Sequence, residues 1–404
     1  MKTLHLPFSL ARAQGHESPQ TKAHPSAVAL PLVLLAGLMP LIVSGFTLSL
    51  LALWLPLVIL AISLDFLWGE NHVISFGHGA FFAGGGYVAG LLLKGPQSNS
   101  TAANYAILGT SGSETHSAFQ SLVHTLAAPQ LAGVPILALI LPPLLCGIVG
   151  ALVGAVIFNI GSVEIYAPLV TLGVGVIAAT VFLQLSALGG SNGLSSIPAF
   201  TREIASGSQR SIYYFNAAWL VLVYLGYAAF RRSRAGRRWR ASGDDPIRLQ
   251  ALGVGVHRLR ATGFAASTAL AGLAGALYVG ASGFMSTQTA GVLFSVQALI
   301  WVAVGGPGSL WAPLVGVLAI QFGQQELSER LQDSWQLLLG AVLILVVLVA
   351  PGGLTGLAAS LARLARPRSR QPVEREPVQP EAIQSESIRE PVEREPIQSE
   401  GAMP

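Results

Sequence analysis

Between Val73 and Leu93 the chain reads VISFGHGAFFAGGGYVAGLLL, in which Ser75 and His78 are the strongly polar side chains. A histidine in so apolar a setting is a functional candidate by default, although such a ring is also commonly bonded to a neighbouring carbonyl. Gly77, Gly79, Gly84, Gly85, Gly86 and Gly90 stand around it. Glycines at this density weaken a helix and have two uses in a membrane. One is close helix packing, for which Gly86 and Gly90 have the four-residue spacing. The other is an interrupted helix whose freed backbone groups line a solute path. A second interrupted stretch, FSVQALIWVAVGGPGSLWAPLVG, runs from Phe294 to Gly316. Gly305, Gly306, Pro307 and Gly308 cannot continue a straight helix, and a plain tight turn is the alternative to a path there. Gln297 in the same stretch can both donate and accept hydrogen bonds. Two interrupted segments, one in each half of a chain, point to a solute route between the halves. Ser75, His78, Gly79, Gly86, Gln297, Gly305 and Gly306 are therefore the candidate pathway residues.

Other chemistries are missing from the sequence. Lysine occurs only at positions 2, 22 and 94, and none belongs to a G-x-x-x-x-G-K-[ST] loop, so this chain does not hydrolyse ATP by that route. No H-E-x-x-H pair and no nucleophile elbow occurs, and no acidic residue falls in mid-span to build a proton relay. Cys146 is the single cysteine and lies in an apolar run, which excludes disulfides within the chain and cysteine-rich zinc sites. The chain reads as a non-enzyme, with no cofactor and no metal centre.

The charge is concentrated elsewhere. Arg231 to Arg260 holds nine arginines and two aspartates, in a chain whose charged content is 10%. Ser211 to Phe230 before it and Ala261 to Gln325 after it carry no charge. Arginine-rich loops stay on the cytoplasmic side while apolar segments cross, so residues 231–261 read as a cytoplasmic loop between two membrane bundles. Inside the loop Asp245 can cap a helix, Pro246 suits its first position and Gly253 its left-handed end. Ile247, Leu249, Ala251 and Leu252 supply an apolar stripe, and Asp244 and Asp245 favour the positive helix end. Such a helix either docks on a partner or lies on anionic lipid.

These residues need a membrane scaffold to hold them. With 404 residues, 52% hydrophobic, and a mean hydropathy of +0.60, the chain belongs to the membrane class. Its net charge of +4 reports topology, not nucleic-acid binding. Residues 1–27 form a polar arm expected to be disordered, and Val28 to Phe46 is the first span, too long for a signal-peptide core. Further spans are expected at Leu48–Phe66, Val73–Leu93, Val134–Phe158, Tyr166–Leu188, Tyr213–Phe230, Thr262–Phe284, Gly291–Val304, Leu310–Gln325 and Trp335–Ala350. The eighth and ninth are shorter than the roughly 20 residues of a full crossing and are expected to be tilted, broken or re-entrant. Residues 94–130, poor in arginine, are placed outside, and both termini in the cytoplasm. The permease body then spans 28–357. The tail 358–404 turns from basic to acidic, repeats EREP and IQSE, and is expected to be disordered. The fold expected is an all-α polytopic membrane protein of about ten transmembrane helices, some broken, with a cytoplasmic coupling helix.

At this point three patches resemble a known family, the LivM-type permeases of ATP-binding-cassette importers, whose branch serves branched-chain amino acids, urea and short amides. Ser75-Phe76-Gly77-His78-Gly79-Ala80-Phe81-Phe82, with Gly86-Tyr87, is similar to the family's S-L-G-H-x-A-F-F…G-Y stretch. Arg240-Ala241 through Asp244-Asp245 to Ala251-Leu252-Gly253 resembles its R-A-x-x-D-D…A-L-G coupling segment. Ile300 to Gly306 with Gly308-Ser309-Leu310 resembles its late G-G-x-G-[ST]-L motif. The resemblance implies a transmembrane subunit in the bacterial inner membrane, paired with a homologous permease, two cytoplasmic ATPases and a periplasmic binding protein. It also implies that Asp244, Asp245, Ile247, Leu249, Ala251, Leu252 and Gly253 dock on the ATPase. The wording of Ile300-Trp301-Val302-Ala303-Val304-Gly305-Gly306 and of Leu64-Asp65-Phe66-Leu67-Trp68-Gly69 is similar to the urea subgroup, which implies import of urea or a short amide, with branched-chain amino acids as the alternative. The chain departs from the family pattern at His72, usually glycine, and at Gln250 and Gln297, usually glutamate. A stand-alone channel or ion-coupled carrier is the reading from another class. The missing mid-span carboxylates weigh against the carrier, and the capped cytoplasmic helix against the channel.

Overall fold

The computed structural model of the chain describes residues 37–94, 135–159, 163–185, 188–200, 208–331 and 353–356, with positions 337, 340 and 341. The arm 1–27, nearly all of the loop 94–130, most of the tenth span and the tail 358–404 lie outside the described residues. A helical stretch at 37–42 leads into α1 (Gly45–Asn71), α2 (His78–Lys94), α3 (Pro135–Asn159), α4 (Val163–Gln184) and α5 (Gln209–Arg232). Two short helices follow, α6 (Arg234–Asp244) and α7 (Pro246–Ala251), and then α8 (Val256–Ser282), α9 (Val292–Gly305) and α10 (Ala312–Leu331). Single 3-10 turns occupy Gly190–Asn192 and Thr287–Ala290, and Leu194 pairs with Met285 in an isolated antiparallel bridge. Helices α1, α3, α4, α5 and α8 are long and apolar enough to cross a membrane, and α9 is a shorter apolar helix. The molecule is an all-α polytopic membrane protein.

Helix α1 is the buried axis of the bundle, with α5, α8, α9 and α10 packed on it. Ser44 caps its start, and it ends where His72 turns left-handed at φ 58°. The sequence places the end of this span at Phe66. The helix instead runs on to Asn71, because Asp65 and Glu70 find partners inside the protein. Helix α8 crosses α2 and α3 at close range through small residues. Gly85 lies on the backbone of Gly272, Gly275 on the Phe82 carbonyl, and Gly150 on Thr268, none with room for a Cβ. This is the small-residue packing that brings membrane helices together without a hydrophobic driving force. On the outer side of α3, Ile136, Ile140, Leu144, Ile148, Leu152 and Val156 recur every fourth residue and are exposed, as a lipid-facing stripe requires.

Among the described spans the largest shifts are at the starts read at Val73 and Thr262, where the helices begin at His78 and Val256, and two further corrections apply. Helix α10 has 20 residues and is not short, because Glu326 to Leu331, too polar for an apolar window, continue the helix. The arginine loop holds two helices rather than one. Helix α6 escapes an apolar-period reading because its exposed face is arginine and its buried face is only Gly236, Trp239 and Ser242.

Candidate functional site

The crossing that holds the first glycine-rich stretch is broken ahead of α2, and the crossing that ends in α9 is broken ahead of Gly291, whereas Gly305 to Gly308 are the tight turn from α9 into α10. After α1 the chain turns at left-handed His72, runs without helix through Gly77 and enters α2 at His78. There the Ser267 hydroxyl donates to the Ser63 carbonyl at 2.6 Å, so it accepts from His78 Nε2 at 2.8 Å. Ring Nδ1 in turn accepts from the Ser75 hydroxyl at 2.8 Å. Ser63 lies eight residues before the end of α1 and Ser267 eleven past the start of α8. At 1.5 Å per residue this places His78 ~12–17 Å in from the arginine-bearing end, about half the ~30 Å of a bilayer core.

Helix α9 starts at the same depth. From the far end the chain descends along α2 through Met285, packed on Gly86, and the Thr287–Ala290 turn, packed on Gly79. The Gly79 amide donates to Ser295 Oγ at 2.9 Å, and a Cβ on Gly79 would also strike the Thr289 carbonyl. On the α4 side the Phe76 amide donates to Thr171 Oγ1 at 3.1 Å. The first turns of α2 and α9 thus meet in mid-bundle and leave in opposite directions. Helix α2 runs to Lys94 at the far end, where Nζ donates to the Ser195 carbonyl, and α9 runs to Gly305 at the arginine end. A helix start carries about half a positive charge and unsatisfied amides. Ser295, Thr171 and Ser75 are buried here, and no charged side chain is in contact among the described residues.

The arginine end holds the second arrangement. Asp245 caps α7 by accepting from the Arg248 amide at 3.0 Å, Pro246 takes the first helical position, and Gly253 follows at φ +80°. Leu249 turns inward, whereas Ile247 and Leu252 stand out at 79% and 76% exposed. Asp244 and Gly253 are also exposed, and Ala251 faces out beside them. Helix α6 is held under the bundle by Trp239, which stacks on Phe66 with centroids 4.9 Å apart and donates to the Phe66 carbonyl at 3.0 Å. Asn71 Nδ2 donates to the Trp239 carbonyl at 2.7 Å and to Ser242 Oγ at 2.5 Å.

Between the two arrangements lies a group of buried charges. Glu70, 3% exposed, is paired with Arg231 of α5 at 2.7 Å and Arg240 of α6 at 2.8 Å. Asp65, fully buried, accepts from the Gly308 amide at 2.7 Å and from the Tyr227 hydroxyl at 2.8 Å. Arg231 Nη2 also donates to the Gly308 carbonyl at 2.8 Å. A carboxylate buried this deeply needs compensation, which Glu70 has in two arginines and Asp65 in two hydrogen bonds.

Of the candidate pathway residues, Ser75, His78 and Gly79 come together at the junction. Gln297 sits one turn on, its amide donating to Gln324 Oε1 of α10 at 3.1 Å. Gly86 is a packing position against Met285 and Gly275. Gly305 and Gly306 form the turn at the arginine end, Gly305 against the Ala312 carbonyl and Gly306 at φ +102°. The sequence reading missed Thr171, Ser267 and Ser295, isolated hydroxyls with no local signal. It also passed over Asp65 and Glu70 as span-end markers. Two acids five residues apart at the edge of a span, in a chain with nine arginines clustered elsewhere, were the available clue.

Comparison with known proteins gives the scaffold its family. The chain is 27% identical to the high-affinity branched-chain amino acid transport system permease protein LivM of Escherichia coli (strain K12), over 80% of this chain and 73% of that protein. It is 28% identical to the permease protein LivH of Salmonella typhimurium, over 45% of this chain and 63% of that one. The autoinducer 2 import system permease protein LsrC of Enterobacter sp. (strain 638) matches at 27% identity over 51% of this chain and 61% of its own. No solved structure matches. Residues 46–348, which include the broken helices, the arginine-end helices and the buried charges, match the family described as the branched-chain amino acid transport system / permease component, and the chain belongs to it.

Proposed function

We propose that this permease is one membrane subunit of an ATP-driven importer and that its solute is a branched-chain amino acid. It works with a homologous second permease, two cytoplasmic ATPases and a periplasmic binding protein, in the inner membrane with both termini cytoplasmic. Ile247 and Leu252, apolar and outward at the arginine end, are the docking side chains for the ATPase within the Asp244–Gly253 surface.

The observation that carries the solute reading is the meeting of the starts of α2 and α9 in mid-bundle. Two helix starts favour a carboxylate, the group that an amino acid has and urea lacks. Ser75, His78, Gly79 and Gln297 border the route in this reading. The motifs that resemble the urea subgroup lie elsewhere. Asp65 and Gly69 contact Gly308, Trp301 is fully buried, and Gly305 and Gly306 build the turn. Their wording reports packing at the arginine end, so it does not speak for urea at the junction. The name of the relative LivM supports the same choice.

Uptake by the reconstituted importer tests this. With ATP inside and the binding protein outside, labelled leucine should accumulate and excess unlabelled urea should not reduce it. Accumulation of labelled urea, unaffected by leucine, would overturn the amino-acid reading in favour of the amide one.

A further inference from the structure

The buried charges tie four elements: α1, the consecutive helices α5 and α6, and the loop at Gly308. Glu70 on α1 holds Arg231 on α5 and Arg240 on α6. Five residues earlier on α1, Asp65 holds Tyr227 on α5 and the Gly308 amide, and Arg231 reaches the Gly308 carbonyl. Both backbone polar groups of Gly308 are therefore fixed, one by each end of the cluster. The approach is close, since a Cβ on Gly69 would collide with the Gly308 backbone, and Gly308 itself has φ +83°. Gly308 stands three residues past the end of α9, and the start of that helix is the Ser295–Gly79 junction. A 14-residue helix is ~21 Å of rigid rod between the two.

From this geometry we infer that Glu70 and Asp65 are positioning residues that join the ATPase-facing helices to α9, so that a displacement of α6 is delivered to the mid-membrane junction. The inference rests on the importer reading and adds the route by which ATP turnover reaches the solute path. Glu70 suits the role because it pairs with both the last turn of α5 and α6. Moving α6 alone must either break a buried ion pair or carry Arg231, and with it Gly308, along. Breaking a buried pair leaves a charge without its partner, so carrying the loop is the cheaper response.

Glu70→Gln in the full importer complex tests the inference, with Glu70→Gln/Arg240→Gln as its control, because the double variant removes the unbalanced charge without restoring the ion pair. Three quantities are read: the amount of complex in the membrane, ATP hydrolysis, and uptake of whichever solute the wild type accumulates. A solute-independent readout comes from spin labels at Leu293, in the first turn of α9, and Leu222 on α5, both exposed. In the wild type ATP should change the distance between them. In Glu70→Gln that change should vanish, and uptake per ATP hydrolysed should fall about tenfold, within the 5–150-fold range of typical coupling between sites. The double variant should regain stability but not uptake. If uptake and hydrolysis fall together, if the double variant restores uptake, or if the label distance still responds, the residues only stabilise the fold and the inference is wrong. Should Glu70→Gln fail to reach the membrane, Arg240→Lys carries the same test, since it keeps the charge and gives up the planar fork. Wild-type uptake alone judges the importer reading, and the label distance judges the link.

Discussion

Ser267 has a single proton and uses it on the Ser63 carbonyl, which makes its oxygen the acceptor that orients His78. Ser267→Ala should therefore strand the ring N–H in a fully buried site. The expected loss is about 1–3 kcal/mol, the range for an unsatisfied buried donor, read as a lower thermal unfolding midpoint in detergent. An unchanged midpoint would mean that the histidine has another acceptor. His78 was legible in the sequence as a residue of consequence, but its role was not. Both of its partners are hydroxyls, and one lies 189 positions away. Glu70 and Asp65 were hidden for the same reason, because Arg240 and Gly308 are 170 and 243 residues distant and nothing local marks the pairing. A buried acid beside its arginine and a surface acid at a span edge look alike until the chain is folded.

At the scale of elements, glycines divide by what lies opposite them. Gly275 sits on the Phe82 carbonyl at the α2–α8 crossing, while Gly226 on α5 has open space around it. Gly275→Ala should push the helices apart, at a cost of about 1–3 kcal/mol for overpacking. Gly226→Ala should instead stabilise by about 0.5–1 kcal/mol, the usual helical penalty of glycine. Thermal unfolding of both in one detergent checks the pair, and equal effects would refute the crossing geometry. Long apolar helices and the Asp245–Gly253 cap were readable because their signals are local: hydropathy, a capping side chain, a proline and a left-handed glycine. Helix α6 was not, since its hold on the bundle depends on one tryptophan that stacks on Phe66 of a distant helix. The break before α2 falls beside the first glycine cluster, whereas the second cluster is the turn from α9 into α10 and the break before α9 lies ahead of Gly291, where no glycine cluster marks it. That α2 and α9 meet at their starts could not be foreseen, because the meeting depends on how α8 and the Thr287–Ala290 turn fold back along α2.

For the whole molecule, the arginine asymmetry predicts an orientation that cysteine labelling can check. Gln250 and Ser191 are exposed at opposite ends, and native Cys146 is buried, so background reaction is low. Gln250→Cys should react with an impermeant maleimide only after permeabilisation, and Ser191→Cys from outside. The reverse pattern would invert the topology. Ser242, in the same loop as Gln250, is fully buried and would stay silent from either side. The mid-bundle histidine also bears on how the protein is made. Ribosomes add about 5–20 residues per second, so the 189 residues between His78 and Ser267 take roughly 10–40 s to synthesise. Throughout that interval α2 lacks the helix that closes over Gly85 and completes its hydrogen bonds. The first broken helix therefore cannot settle as it emerges, and its final place in the membrane is taken only after the second half of the chain has been translated.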